Sequence, residues 1–140
     1  MIVRSCAGGV VFHNNKVLLL KNDKGEWVLP KGKIRDGFLS TEIALNRDAR
    51  IISTVGETSY EFFSLSRKQP VCNVITWYIM ESPCDESSIN ESEGFIDGAF
   101  FTIRDAIEKV TYSQDKSLIN LSYKKYLMLK EMERIEEVYI

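Results

Sequence analysis

Apolar and polar positions alternate in short runs through the first two thirds of the chain, then change to a helical spacing near the end. Ile2 to Phe12 and Lys16 to Lys21 are rich in β-branched and aromatic residues and flank His13-Asn14-Asn15, the pattern of two strands paired around a turn. Asn22-Asp23-Lys24-Gly25 predicts a second turn. Ser40 or Thr41 can cap a short helix through Leu45, and Ala49 to Val55 returns to strand character. Gly56 predicts a kink or bulge before another extended run from Thr58 to Leu65. Two more strands are expected, over Asn73 to Glu81 and Ala99 to Phe101.

The last third reads as helix. Thr102 with Asp105 three positions later has the spacing of a capping box, although Asp is shorter than the preferred Glu. From Gln114 to Ile135, Leu118, Leu121, Tyr126, Leu129 and Met132 are expected to share one apolar face that packs on the core. Strands with a helix in the middle and helices at the end predict an α/β sandwich. With 140 residues, 44% hydrophobic and 11% aromatic, the chain can bury one core and is short for two domains, so one domain over residues 1–140 is expected.

Charge and cysteines narrow the classes. A net charge of −2 argues against general nucleic-acid binding by bulk electrostatics. Cys6, Cys72 and Cys84 are an odd number without C-x-x-C spacing, which fits a reducing cytoplasm better than a secreted disulfide scaffold. No run approaches the roughly twenty apolar residues of a membrane helix, so no membrane partner is expected. The single histidine, His13, falls in a turn, so no Ser-His-Asp or Cys-His arrangement can be argued, and hydrogen bonding is its expected role.

One ordered set of motifs carries more. Gly8-Gly9-Val10-Val11-Phe12, then Lys16 to Lys21, then Gly25-Glu26-Trp27-Val28 lead into Leu29-Pro30-Lys31-Gly32-Lys33-Ile34-Arg35-Asp36-Gly37. Together with Gly94 to Ala106, an aromatic strand running into a helix, this series resembles the Nudix hydrolases from about Arg4 to Lys125. The Leu-Pro-Lys-Gly-Lys signature is similar to the group that includes dinucleoside polyphosphate, diphosphoinositol polyphosphate and RNA 5′ pyrophosphate hydrolases. The resemblance implies an α/β/α sandwich with a mixed sheet between helices. It also implies metal-assisted attack of water on a pyrophosphate, with Mg²⁺ or Mn²⁺ as cofactor and a nucleotide-type small molecule as partner.

The resemblance breaks where the family keeps its chemistry. In the family box, a glycine is followed by five residues, a glutamate, seven residues, and then Arg-Glu-aliphatic-any-Glu-Glu. Gly32 fits the first position, Phe38 stands where the first glutamate belongs, and Gly37 to Leu45 otherwise resembles the lead into the catalytic helix. Asn46-Arg47-Asp48 then runs directly into Ala49 to Glu57, which reads as the strand after the box. Roughly eight residues, two turns of helix, are missing from the pattern. They are the ones whose carboxylates would converge on hard cations and offset charge on the phosphate oxygens. A helix so shortened must be held by packing, so Ile43 and Leu45 are expected to be buried and Asp36 to Asp48 to be weakly stable.

The surviving candidates follow from this frame. Glu42 and Glu57 are the candidate catalytic carboxylates; Glu42, Asp36, Glu91 and Glu93 are the candidate metal ligands. Lys31 and Lys33 flank Gly32, whose lack of a side chain permits close backbone approach, and with Arg67 they are candidates for holding phosphate. Trp27, Trp77 and Tyr78 are expected to pack in the core. Two functions stay open: a pyrophosphohydrolase with an impaired site, or a catalytically silent module that binds a nucleotide or a protein. An edge strand could also pair two copies as a homodimer.

Overall fold

The computed structural model describes residues 1–33, 49–85 and 94–139. Seven strands and two helices occupy them: β1 (Ile2–His13), β2 (Lys16–Asn22), β3 (Trp27–Val28), β4 (Lys31–Lys33), β5 (Arg50–Ser64), β6 (Gln69–Glu81), β7 (Phe95–Thr102), α1 (Ile103–Lys109) and α2 (Ser113–Tyr139). The sheet runs β3-β2-β1-β6-β5, with β4 added on β1 and β7 on β2. Its only parallel pair among these strands is β1 with β6, in register from Ile2 opposite Val71 to Phe12 opposite Glu81. The other pairs are antiparallel, so the sheet is mixed.

Strand alternation decides which side chains meet. Cys6, Val10 and Phe12 point with Val17, Leu19, Ile75, Trp77 and Ile79 toward a core closed by Ala106, Val110, Leu118, Ile119 and Tyr126 of the helical end. Val11, Leu18, Leu20 and Met80 point the other way, against Val28, Ala49 and Phe95. Residues 6 to 12 of β1 are buried on both faces, which accounts for its nearly unbroken apolar run. Trp77 lies flat over Gly8, where an added Cβ would come within 2.5 Å of the indole ring. Its indole N–H is satisfied by Thr58 Oγ1 at 2.8 Å, so the large ring is buried without an orphaned donor.

The expected turns and strands hold, with two differences in extent. Gly56 sits at a register shift in β5 with φ of 147°, the bulge its position predicts. β6 begins at Gln69 rather than Asn73, because Pro70 lies near the strand's start opposite Phe63, where a missing N–H is tolerated. β7 extends from Phe95 rather than Ala99, since it pairs along the whole of β2. Thr102 caps α1 by accepting the Asp105 N–H at 3.3 Å.

The α2 face needs a correction. Leu118, Tyr126 and Leu129 pack on the core, while Leu121 and Met132 are 60% and 55% exposed. At about 100° per residue the buried stripe centres on Asp115, Leu118, Ile119, Ser122 and Tyr126, and both misassigned positions fall on its flank. Ile43, Leu45 and the rest of the shortened helix lie outside the described residues.

Candidate functional site

β1, β6 and β5 carry a hydrogen-bonded polar rung on a face that is apolar at its centre. Arg4 stands opposite Asn73, and Asn73 opposite Tyr60, so the three side chains form a row across adjacent strands. Arg4 Nε donates to Asn73 Oδ1 at 2.8 Å, and Asn73 Nδ2 donates to the Tyr60 hydroxyl at 2.7 Å. The row borders a cleft of about 190 Å³ also lined by Cys6, Lys31, Gly32 and Ile75. Lys31 Nζ sits 5.1 Å from the centre of the Tyr60 ring, and the Arg4 guanidinium 5.4 Å from that of Phe62. Such placements attract a cation to the ring's negative face.

β4 explains how the Lys-Gly-Lys loop reaches this row. Lys31 pairs with Gly8, Gly32 with Ala7 and Lys33 with Cys6 on the edge of β1, and Gly9 N–H donates to Pro30 O at 2.9 Å. Asp115 at the start of α2 is 6% exposed and accepts a hydrogen bond from the Leu29 backbone, tying the helix to the same loop. Burial raises its pKa above the usual carboxylate range, against the smaller opposing effects of Lys31 and of the Leu29 N–H.

The predicted site residues distribute unevenly. Lys31 and Gly32 line the cleft, and Lys33 belongs to the strand beside it. Arg67 is at the exposed tip between β5 and β6, its N–H held by Ser64 Oγ at 3.3 Å, and is not part of the cleft wall. Glu57 pairs with Thr76, one position out of step with Thr58 and Tyr60, so alternation places it on the opposite face of the sheet. Asp36, Glu42, Glu91 and Glu93 lie outside the described residues. Among the described residues no three His, Cys, Asp or Glu side chains come together as a metal ion would require.

Arg4, Asn73, Tyr60 and Asp115 were not singled out from the sequence. A signal existed for Asn73: in Val71, Asn73, Ile75, Trp77 and Ile79, the inward positions of β6, it is the one polar residue. Arg4 and Tyr60 become visible only once the strand register is known.

A second polar cluster lies at the other end of the sheet. Glu81 accepts from Arg50 at 2.9 Å, from Lys130 at 3.1 Å and from the Tyr126 hydroxyl at 2.6 Å. Lys130 also meets Glu133 at 3.2 Å. Burial alone would raise the Glu81 pKa, but the hydrogen bonds from Tyr126, Arg50 and Lys130 outweigh it and hold it below the ordinary value. Tyr126 is shifted upward by burial first and by its bond to Glu81 second. This cluster walls a cavity of about 470 Å³ with His13, whose Nδ1 is 3.0 Å from Ser82 O.

No protein-family model matches the sequence, and no curated protein does. Solved structures do. The Escherichia coli dihydroneopterin triphosphate pyrophosphohydrolase superposes with a TM-score of 0.64 over 85% of this chain and 95% of that one, at 13% identity. A Caenorhabditis elegans Ap4A hydrolase binary complex gives 0.55 over 89% and 98%, at 17% identity. The Nudix domain of Shewanella oneidensis NrtR, complexed with ADP ribose, gives 0.58 over 90% of each chain, at 16% identity. The chain thus has the Nudix fold, the α/β/α sandwich around a mixed sheet. Among the described residues no helix is long and apolar enough to cross a membrane.

Proposed function

We propose that this chain binds a nucleoside diphosphate-linked ligand beside the Lys31-Gly32 loop and hydrolyses its pyrophosphate by metal-assisted attack of water, at an impaired rate. The observation that carries this reading is the convergence of Lys31 and Gly32 with Arg4 and Tyr60 on one cleft in a Nudix fold. Two cations at a polyphosphate would offset its charge, and Gly32 leaves the backbone open to it. Ap4A and ADP ribose, named for two of the structural neighbours, are nucleotides with linked phosphates and illustrate the ligand class. The impairment rests on Phe38 at the first glutamate position and on the missing Arg-Glu-x-x-Glu-Glu stretch.

The second reading is a silent module that binds the same ligand or a protein without cleaving it. It is favoured by the cleft lining, which carries cations and neutral donors and, among the described residues, no carboxylate. Calorimetric titration with Mg²⁺ or Mn²⁺, followed by phosphate release from nucleoside diphosphate derivatives and dinucleoside polyphosphates, separates the two. Hydrolysis predicts metal binding and turnover below the range of about 1–10³ s⁻¹ typical of enzymes, both lost in Glu42→Gln. Absence of metal binding and turnover would end the hydrolase reading and leave the binding module.

A further inference from the structure

We infer that the Arg4–Asn73–Tyr60 cleft is an anion subsite that takes the phosphate end of a ligand and excludes its base. The inference rests on the reading of the ligand as a nucleotide with linked phosphates, and not on whether that ligand is hydrolysed.

The argument begins with a forced hydrogen-bond polarity. An arginine has no acceptor, so the Asn73 atom facing Arg4 Nε must be the carbonyl oxygen. The amide nitrogen then faces Tyr60, and an amide nitrogen only donates, so the phenol oxygen is the acceptor in that bond. The proton of Tyr60 is therefore free to be offered away from Asn73. Asn73 is 5% exposed, so the amide itself stays beneath the surface. What the row presents to a ligand is the Tyr60 O–H, the terminal N–H groups of Arg4 and the ammonium of Lys31.

That surface lacks what a base requires. The Watson–Crick edge of every nucleobase carries at least one N–H donor beside its acceptors, and no carboxylate of the described residues lines the cleft to receive it. Stacking would also compete with the protein, because Lys31 and Arg4 already lie over the rings of Tyr60 and Phe62. Size agrees: about 190 Å³ is below the roughly 300–1,000 Å³ of pockets that enclose drug-sized ligands. One or two phosphate groups, acceptor-only and anionic, meet each condition. Asn73 is then a positioning residue, fixing the direction of the Tyr60 proton.

The test is binding to the purified chain in EDTA, with inorganic pyrophosphate and adenosine as separate probes, followed by calorimetry and by amide NMR shifts at residues 4, 31, 60 and 73. Pyrophosphate is expected to saturate with shifts at these positions and to weaken with added salt, while adenosine leaves them unchanged. Tyr60→Phe should weaken pyrophosphate several-fold in a protein that still folds, its melting temperature lowered by a few degrees because the buried Asn73 amide loses its acceptor. Asn73→Asp should weaken it at least tenfold, since a carboxylate draws the Tyr60 proton inward and adds a negative charge. Adenosine binding at these residues, or pyrophosphate binding unchanged in Tyr60→Phe and folded Asn73→Asp, would overturn the inference. Because metal and turnover are absent from this experiment, its outcome is independent of the hydrolysis assay.

Discussion

Two polar clusters of similar make-up sit at opposite ends of the same sheet and end in opposite electrostatic states. Each contains an arginine, a lysine and a tyrosine. At one end Glu81 gathers Arg50, Lys130 and Tyr126 onto its two oxygens, and the cations are matched by Glu81 and Glu133. At the other end the central residue is Asn73, a neutral amide that orders Arg4 and Tyr60 without cancelling any charge. The larger cavity belongs to the compensated cluster and the smaller one to the uncompensated cluster. Surplus donors, more than volume, are what the proposed anion subsite rests on.

The comparison can be broken most severely at Gly8, which lies in the strand serving both clusters. Gly8→Ala forces a methyl into the Trp77 ring and should cost about 2–3 kcal/mol, read as a fall in denaturation midpoint and loss of ligand binding together. Next comes Glu81→Ala, which strands the Tyr126 hydroxyl and leaves Arg50 and Lys130 to share Glu133. A loss of about 2 kcal/mol is expected, with pyrophosphate binding at the far cleft unchanged. Its pH dependence sharpens the point. The Glu81 pKa is lowered on folding, so its contribution is present above the ordinary value of 4.5 and is lost as pH falls through the folded value. Glu81→Ala should remove that part of the acid sensitivity in thermal melts.

The smallest effect has the opposite sign. Burial raises the Asp115 pKa, so folding takes up protons there and stability declines as pH rises from 3.8 through the raised folded value. Asp115→Asn keeps an acceptor for the Leu29 amide and removes the buried charge. A gain of roughly 0.5 kcal/mol at neutral pH, vanishing in acid where Asp115 is already protonated, is the expected result of paired melts.

How far the sequence reveals this molecule depends on which interactions are local. Strand β1, the turn at His13 to Asn15, the bulge at Gly56 and the Thr102 cap are written in neighbouring residues, and each was legible. That Lys31 and Gly32 sit side by side on the cleft was legible too, because a loop motif keeps its residues together. Arg4, Asn73 and Tyr60 were not, since they are brought together by register across three strands. Glu57 was assigned by residue type alone, while a one-residue step along β5 turns it to the other face. On α2, Leu121 and Met132 were grouped with the core because apolar character alone does not fix the angular centre of a stripe. The carboxylates proposed as metal ligands, Asp36, Glu42, Glu91 and Glu93, lie outside the described residues.

The parallel pairing of β1 with β6 has a consequence for the order in which the chain can assemble. Arg4 meets a residue 69 positions later, and the pairing runs on to Glu81, whereas β1 and its neighbour β2 share only two paired positions. During synthesis β1 waits until β6 has emerged before most of its backbone groups find a strand partner. Closing so long a loop comes before any of its contacts can compensate, so folding in the millisecond-to-second range of nonlocal sheets is expected. Throughout that wait the apolar run from Cys6 to Phe12 is left uncovered and open to non-native contacts.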